Sequence, residues 1–334
     1  MEKARELRVR QVILRIRCAY IGAAVILFAA SLRILVGGTA FLKTAETARL
    51  ITYFYTGRLV TLATPEFTPP PTEGQTNNEK REDPLQLSLQ AGLSIEYRNQ
   101  TLCDINLEKW LKQPLLWDLK GEKPQVLIVH THTTESYKNT GQYVESDPYR
   151  TLDEKHNLIA MGEQLTRLLE AGGVSVIHDK TVHDYPSYND AYTRARETIL
   201  GHLAKNPQIS LVIDLHRDAV EGADGQQKAF TATYGGKKAA MLEIVVGTSA
   251  GGQSHPGWEK NAALAVKLQT ALEAEFPGIC RPALFRSSRY NQDLTPGSLI
   301  VEVGTAGNTE AEALGGVEVL AQAILNMAKG AVCN

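Results

Sequence analysis

The sequence is short of the residues on which several protein classes depend. Of its 334 residues only four are cysteines, and no two of them stand at the spacing of metal ligands. Four scattered cysteines do not indicate a disulfide framework, although a single bridge between Cys103 and Cys280 stays open. Aromatic residues make up 7% of the chain and the formal net charge is −2, so neither base stacking nor a basic surface favours a nucleic-acid partner.

The hydrophobic run near the N-terminus is long enough to cross a membrane. Residues 18–36 contain one charged residue, Arg33, and at about 1.5 Å per helical residue they reach close to the thickness of the hydrocarbon core. The preceding residues 1–17 are rich in lysine and arginine, which predicts a cytoplasmic tail with the remainder of the chain outside. A cleavable signal peptide, cut after about Ala40, is the alternative. We favour an uncleaved single-pass anchor over residues 18–38.

The rest of the chain divides into a tether and a globular domain. Within residues 39–84 the second half is rich in proline, threonine and charge, which is typical of an extended linker. Residues 85–334 then alternate apolar runs of strand length with amphipathic helices. This alternation predicts an α/β domain with an open, mostly parallel sheet and helices on both faces, preceded by one transmembrane helix.

Three predicted strands run into polar residues that can carry chemistry. "VLIV" is followed by His130, His132 and Glu135, "LVIDL" by His216, and "LIV" by Glu302. Ligands of open α/β sheets gather beyond the carboxyl ends of the strands. We therefore expect these side chains to converge at one edge of the sheet.

His132, Glu135 and His216 match the ligand set of a catalytic zinc ion, which leaves a fourth position open to water, and we predict that they bind one. One loop delivers the first two and a later strand the third. Such a metal lowers the pKa of its water to about 7, and a separate carboxylate then moves the proton to the leaving nitrogen. Glu302, a charged residue among apolar ones, is the candidate for that general base. Asp153, at the start of the first predicted helix, is a rival carboxylate ligand.

Further polar residues stand beside these candidates. His130 lies two residues before the predicted ligand loop, which makes it a candidate for substrate contact rather than metal binding. Arg217 directly follows the third predicted ligand, and either binds a substrate carboxylate or forms a structural salt bridge. Tyr185 and Tyr188 are candidates for a wall of the substrate site.

The motifs that contain these residues resemble those of the stage II sporulation protein P family. The similar segments lie within residues 124–329 and read "HTHTTESY", "HDYPSYNDAYTRA", "DLHRDA" and "VEVGTAGNTEAEA". The resemblance implies a zinc-dependent N-acetylmuramoyl-L-alanine amidase with a cell-wall amidase-like fold. Such an enzyme is a hydrolase that cuts the amide between N-acetylmuramic acid and the first L-alanine of the peptidoglycan stem peptide.

The resemblance also implies roles for individual residues. Related amidases use two histidines and one glutamate as zinc ligands, together with a late glutamate, and His132, His216 and Glu302 fit this pattern. The motif of the family favours Glu135 as the remaining ligand. The wider group of amidases favours a position that Asp153 occupies here.

The resemblance to this family also implies where each segment of the chain lies in the cell. It implies a catalytic amidase domain over residues 85–334 outside the cell membrane, joined by an extracytoplasmic stalk over residues 39–84 to the anchor. The family acts at the septal and engulfing membranes of mother cell and forespore. Its partners there are the peptidoglycan substrate and the sporulation proteins D and M.

Two other functions remain open from the sequence. A carboxypeptidase-like or cross-link-cleaving zinc peptidase of the cell wall would use the same ligand pattern. A carboxypeptidase also needs a basic residue to hold the C-terminal carboxylate of its substrate, and Arg217, Arg286 and Arg289 are available. A wall-binding scaffold without activity is the third possibility, and it should not bind zinc tightly.

Overall fold

Eight strands form the central sheet in the part of the chain that the computed structural model describes, residues 83–89 and 94–330. In chain order the strands are β1 (Asp83–Ser88), β2 (Ser94–Asn99), β3 (Val126–Val129), β4 (Val176–His178), β5 (Leu211–Asp218), β6 (Thr231–Tyr234), β7 (Lys237–Ala240), β8 (Leu242–Gly247), β9 (Ala283–Arg286) and β10 (Ser298–Thr305). The helices are α1 (Leu107–Lys112), α2 (Leu158–Ala171), α3 (Ala191–Lys205), α4 (Trp258–Glu275) and α5 (Glu310–Ala328), with a 3₁₀ turn at Gln292–Leu294. Strands β6 and β7 form a separate hairpin.

The central sheet is mostly parallel, which confirms the prediction from the alternation of strands and helices. Its strand order is β1-β2-β9-β8-β10-β5-β3-β4. Of the seven neighbouring pairs, five run parallel and two, β1 with β2 and β8 with β10, run antiparallel. Strands β10, β5, β3 and β4 therefore point the same way and end at one edge of the sheet.

Helices cover both faces of the sheet, as predicted. Successive residues of a strand point to opposite faces, so each strand contributes to two separate cores. On one face, α2, α4 and α5 pack over a large apolar core, and on the other face α3 packs over a smaller one. The smaller core consists of Leu127, Val129, Ile199, Ile209 and Val212.

Local sequence sets the ends of the two helices that pack on each other, α2 and α5. The Asn157 side chain caps α2 by accepting a hydrogen bond from the backbone N of Ile159 at 2.9 Å. Just beyond the end of α2, Gly173 has a φ of 87°, a conformation that favours glycine. Thr309 and Glu312 form a capping box at the start of α5.

Several expectations from the sequence concern residues outside the described part. The predicted membrane span, residues 18–38, lies there, as does nearly all of the predicted stalk. Among the described residues, no helix combines the length and the apolar character that a membrane span needs. Cys103 and Cys280 are both free, so the bridge left open between them is not formed.

Candidate functional site

The candidate site lies on the α3 face of the sheet, toward the carboxyl ends of the parallel strands. Val212 of β5 belongs to the apolar core on that face. Because strand residues alternate, Asp214, His216 and Asp218 share the same face, and β5 changes from apolar to polar along its length. On the neighbouring strand β10, Glu302 stands directly beside His216 in the register. The expected approach of these two side chains is therefore present.

His216 is held between carboxylates. Its Nδ1 lies 3.6 Å from Glu135 Oε2, and its Nε2 lies 3.0 Å from Asp214 Oδ1, outside regular hydrogen-bond geometry. The backbone N and the hydroxyl of Thr131 donate to Asp214 at 2.8 and 2.5 Å, which fixes that carboxylate. Burial lowers the pKa of His216, but the negative charges of Asp214, Glu135 and Glu302 outweigh it and raise this pKa to about 10.

His132 lies against His216, with ring centroids 5.3 Å apart and the ring planes at 89°. It also stacks on Tyr188, with centroids 4.4 Å apart and the planes 6° from parallel. Its Nδ1 is buried and has no hydrogen-bond partner within the described part of the chain. Burial, helped by the positive charges of His216 and Arg150, lowers the pKa of His132 to about 3, so this imidazole is neutral near pH 7.

Glu135 is buried among basic groups. Arg150 Nη2 donates to its Oε1 at 3.3 Å, and Arg217 donates its backbone N to Oε2 at 3.3 Å. The guanidinium of Arg217 also lies 3.6 Å from Oε1. Asp153, the rival carboxylate, is exposed, and its side chain accepts a hydrogen bond from a backbone N–H two residues further on. The structure thus brings Glu135, and not Asp153, beside His216.

Glu302 occupies the middle of a row of polar residues across three strands. Its register neighbours are His216 on β5 and Glu243 on β8. Its Oε2 is buried without a hydrogen-bond partner among the described residues. Burial raises the pKa of Glu302 well above its ordinary value, the charge of His216 opposes the shift, and the carboxylates of Asp218 and Glu135 add to it. A buried carboxyl group beside an imidazole can act in general acid–base chemistry.

His132, Glu135 and His216 fit a zinc ion by their chemistry. The unpartnered Nδ1 of His132 is a free buried donor atom for a metal. The 3.6 Å between His216 Nδ1 and Glu135 Oε2 is close to the distance of about 3.4 Å between ligands of a tetrahedral zinc. Asp214 Oδ1 lies 3.0 Å from Nε2 of His216, the ring nitrogen that would not bind the metal. A carboxylate in this position is common beside metal-bound histidines. In the described ranges no three such side chains already converge at ligand distances, so metal binding requires the three to draw together.

His130 lies in the interior of the domain, whereas the sequence predicted a contact with substrate. It is fully buried, and its Nδ1 donates to the carbonyl of Leu215 at 3.1 Å. Its Nε2 lies 2.8 Å from Nε2 of His178. Gly162 of α2 packs on this pair so closely that a Cβ there would collide with both imidazoles. The geometry gives His130 a structural role that joins β5 to the end of β4.

Arg217 is also buried rather than open to a substrate. Its guanidinium donates to the carbonyls of Ser136 at 3.0 Å and Tyr149 at 2.9 Å, in addition to its contact with Glu135. Of the two roles left open by the sequence, the structure favours the structural salt bridge. Tyr185 and Tyr188, expected as a wall of the site, are both about half exposed, and Tyr188 covers His132.

Two residues of the site were not expected from the sequence. Asp214 stands two residues before His216 in "LVIDLH", and the two-residue alternation of a strand could have indicated it. Arg150 lies in an irregular loop, fifteen residues from Glu135, where no periodic pattern points to it. Only the path of that loop brings the two side chains together.

A family model described as stage II sporulation protein P (SpoIIP) matches residues 64–325. Stage II sporulation protein P of Bacillus subtilis (strain 168) is 31% identical to this chain in an alignment of 201 residues, which covers 56% of this chain and 47% of that relative. The chain therefore spans about half the length of the curated relative that it matches.

Solved structures with some similarity include two N-acetylmuramoyl-L-alanine amidases. For AmiC2 of Nostoc punctiforme the TM-score is 0.36 at 13% identity, and the match covers 63% of this chain and 99% of that one. For the catalytic domain of CwlV from Bacillus (Paenibacillus) polymyxa var. colistinus the TM-score is 0.35 at 14% identity, with coverage of 63% and 99%. TM-scores below 0.5 do not establish a common fold.

Proposed function

The chain belongs to the stage II sporulation protein P family, and we propose that it is a peptidoglycan hydrolase of spore development. The bond that it cleaves is the amide between N-acetylmuramic acid and the L-alanine of the stem peptide, and its cofactor is zinc. The observation that carries the proposal is the meeting of His132 and Glu135 with His216, beside which Glu302 stands in register. Two imidazoles and one carboxylate that can bind a metal, with a second carboxylate beside them, suit the hydrolysis of an amide by activated water.

The residues divide into ligands and a proton carrier. His132, Glu135 and His216 would hold the zinc ion, whose chemistry is to polarise the scissile carbonyl and to lower the pKa of a water molecule. Glu302 accepts a proton from the attacking water and passes it to the nitrogen of L-alanine as the C–N bond breaks. The lactyl group of the glycan is left as a carboxylate, and the stem peptide gains a free amine.

Other residues keep this arrangement in place. Asp214, 3.0 Å from Nε2, holds the ring of His216 from behind. Arg217 fixes Glu135 through its backbone N and its guanidinium. Tyr188 lies flat on His132 and shields one side of that imidazole from water.

The alternative is a carboxypeptidase-like or cross-link-cleaving zinc peptidase. Of the three arginines considered for a substrate carboxylate, Arg217 is buried and bonded to two carbonyls. Arg289 lies 3.5 Å from Asp293. Arg286 ends β9, which runs antiparallel to β10, so it lies toward the opposite edge of the sheet from the end of β10. These positions support the amidase over the carboxypeptidase.

Digestion of purified peptidoglycan by the full chain tests the proposal. An amidase releases intact stem peptides with a new N-terminal L-alanine, whereas a peptidase releases shortened or uncross-linked peptides, and mass spectrometry separates these products. We expect His132→Ala and His216→Ala to abolish both zinc retention and release of peptides. Glu259→Gln, an exposed change on α4, serves as the matched control and should keep both. Full activity of the His216→Ala protein without bound zinc would overturn the proposal.

The location of the chain is a further part of the proposal. Residues 18–38 anchor it in the cell membrane, with residues 85–334 outside, where peptidoglycan is in reach. The long apolar run and the basic residues before it support this orientation. Septal membranes and the sporulation proteins D and M are the setting that the family suggests. Protease accessibility in intact protoplasts tests the orientation, since only an exterior domain is digested without lysis.

A further inference from the structure

Arg150 connects three groups of the candidate site that come from two other segments of the chain. Its Nη2 donates to Glu135 Oε1 at 3.3 Å, and its Nη1 donates to Asp184 Oδ2 at 2.6 Å. Its guanidinium carbon also lies 4.8 Å from the centre of the Tyr188 ring. The side chain is 17% exposed, so all three contacts are formed largely away from solvent.

Each of these contacts leads to the loop that carries the candidate ligands. Glu135 is one of those ligands, and Tyr188 stacks on another, His132, at 4.4 Å. Asp184 accepts hydrogen bonds from the backbone N and the hydroxyl of Thr134, at 3.1 and 2.7 Å. One guanidinium therefore braces the ligand loop at its beginning, its middle and its end.

The backbone holds Arg150 in the position from which it can do this. Residues 149–151 run antiparallel to residues 134–136, with Arg150 directly opposite Glu135. Backbone hydrogen bonds of 2.9 Å, from Ser136 N to Tyr149 O, and 2.8 Å, from Thr151 N to Thr134 O, close this short ladder. Side chains of directly opposed residues lie close together, so the charge pair is built into the path of the loop.

An arginine suits these contacts better than another cation. Its planar fork can donate to two carboxylates at once and stack on an aromatic ring, whereas a lysine ammonium acts as a single point of charge. Glu135 and Asp184 each receive one arm of the fork. Loss of the fork would free Glu135 on one side and would remove the cation that lies over Tyr188.

We propose that Arg150 is a positioning residue of the metal centre. It sets the orientation of Glu135 directly and that of His132 through Tyr188, so that both are ready to bind the ion. This inference rests on the proposed function, because it takes those two residues as zinc ligands.

Zinc affinity of the full chain, measured by competition with a chromophoric chelator, tests this role. We expect Arg150→Met to weaken binding by about 10- to 100-fold, the range typical of residues that orient metal ligands. Arg150→Lys should recover part of this loss, because it restores a charge but not both contacts. Arg194→Met is the matched control: Arg194 donates to the carbonyls of His183 and Ser187, so it braces the segment that carries Asp184 and Tyr188 without contacting a candidate ligand. It should keep the affinity of the unmodified chain.

Two further measurements separate positioning from general stability. With cobalt in place of zinc, the visible absorption spectrum reports the ligand geometry, and we expect it to change for Arg150→Met but not for Arg194→Met. Thermal unfolding of the metal-free proteins shows whether the two substitutions destabilise the fold equally. If Arg150→Met does not fold, the affinity and spectrum of Arg150→Lys provide the test, and unmodified values for that variant would overturn the inference.

The outcomes distinguish this inference from the proposed function. Unmodified zinc affinity in Arg150→Met, or an equal loss in Arg194→Met, would overturn the role of Arg150 and leave the amidase proposal intact. Absence of zinc binding by the unmodified chain would overturn both, beginning with the proposed function.

Discussion

The two faces of the central sheet are made from the same strands and yet differ in character. The face beneath α2, α4 and α5 is apolar along both central strands, where it presents Ile213, Leu215, Leu299, Val301 and Val303. All five are buried, and none of them carries a group that could bind a metal or move a proton. This face stabilises the fold by removing apolar surface from water.

The α3 face begins in the same way and then changes. Val212 and Ile300 are apolar, but the next residues on that face are Asp214, His216 and Glu302. Burying charges is costly unless they are paired, and on this face the histidine is flanked by carboxylates. Alternate residues of one strand can therefore stabilise the fold on one face of the sheet and form a reactive site on the other.

Glu302→Gln should have the largest effect of these substitutions, and we expect it to reduce catalysis without reducing metal binding. The amide cannot accept a proton from water, so we expect peptide release to fall by about 10²- to 10⁴-fold while zinc content is unchanged. Product release from peptidoglycan and metal analysis of the same preparation measure the two properties. Peptide release at the unmodified rate would show that Glu302 is not the general base.

Leu299→Ala is the counterpart on the apolar face of the same strand. Leu299 is buried in the large core, and its truncation should lower the free energy of unfolding by about 2–5 kcal/mol. Zinc affinity and turnover per folded molecule should stay near those of the unmodified chain. Urea unfolding and a parallel zinc titration measure stability and zinc affinity. A large loss of zinc affinity in protein that is still fully folded would contradict the separation of the two faces.

Glu243→Gln tests how a buried carboxyl group on the α3 face makes the stability of the fold depend on pH. Burial raises the pKa of Glu243 from 4.5 to about 7, although Arg281, 3.2 Å away, opposes the shift. A carboxyl group with a raised pKa in the folded state contributes stability that is complete below about pH 4.5 and is lost as the pH rises through about 7. Over that window we expect this residue to account for a fall on the order of 3 kcal/mol in the free energy of unfolding.

The glutamine variant should lack that part of the slope. Urea unfolding of both proteins at several pH values between 4.5 and 8 measures the difference. Equal slopes for the unmodified chain and Glu243→Gln would show that the carboxyl group titrates normally.

Lys109→Ala should have the smallest effect on stability, because it removes an ion pair on the surface and not a buried contact. Lys109 Nζ lies 3.1 Å from Glu259 Oε2, and both side chains are about half exposed. Because water screens exposed charges, we expect a loss of less than about 1 kcal/mol in stability. Unfolding in urea at low and high salt measures it. A loss as large as that of Leu299→Ala would mean that burial does not separate the two kinds of contact.

The pattern of apolar and polar residues predicted much of the fold. Runs such as "VLIV" and "LVIDLH", separated by amphipathic helices, predicted the mostly parallel sheet and the helices on both faces. The antiparallel placement of β8 against β10 was not predicted, because an apolar run has no signal for its direction in a sheet. The strands β1 and β2 on one side of the sheet were also missed, since the segment before residue 101 was read only as the start of the domain.

The site was predicted in part. The residue types and their places at strand ends indicated His132, His216 and Glu302 as neighbours, and Glu302 indeed stands beside His216. His130 and Arg217, both predicted to contact substrate, are buried in the structure for a common reason. Both residues follow the end of a predicted strand, but whether such a side chain meets solvent or another segment depends on what packs over it, here His178 and the Tyr149 loop.

The sequence by itself determined which chemistry is possible: it supplies imidazoles and carboxylates where buried strands end, and the two-residue period of a strand sorts them onto one face. Only the tertiary structure decided which carboxylate stands beside His216. Glu135 and Asp153 come from the same stretch of chain, and the choice between them depends on how the loop after β3 folds back on residues 149–151. That path is fixed by contacts between distant segments, which a local pattern of residues does not encode.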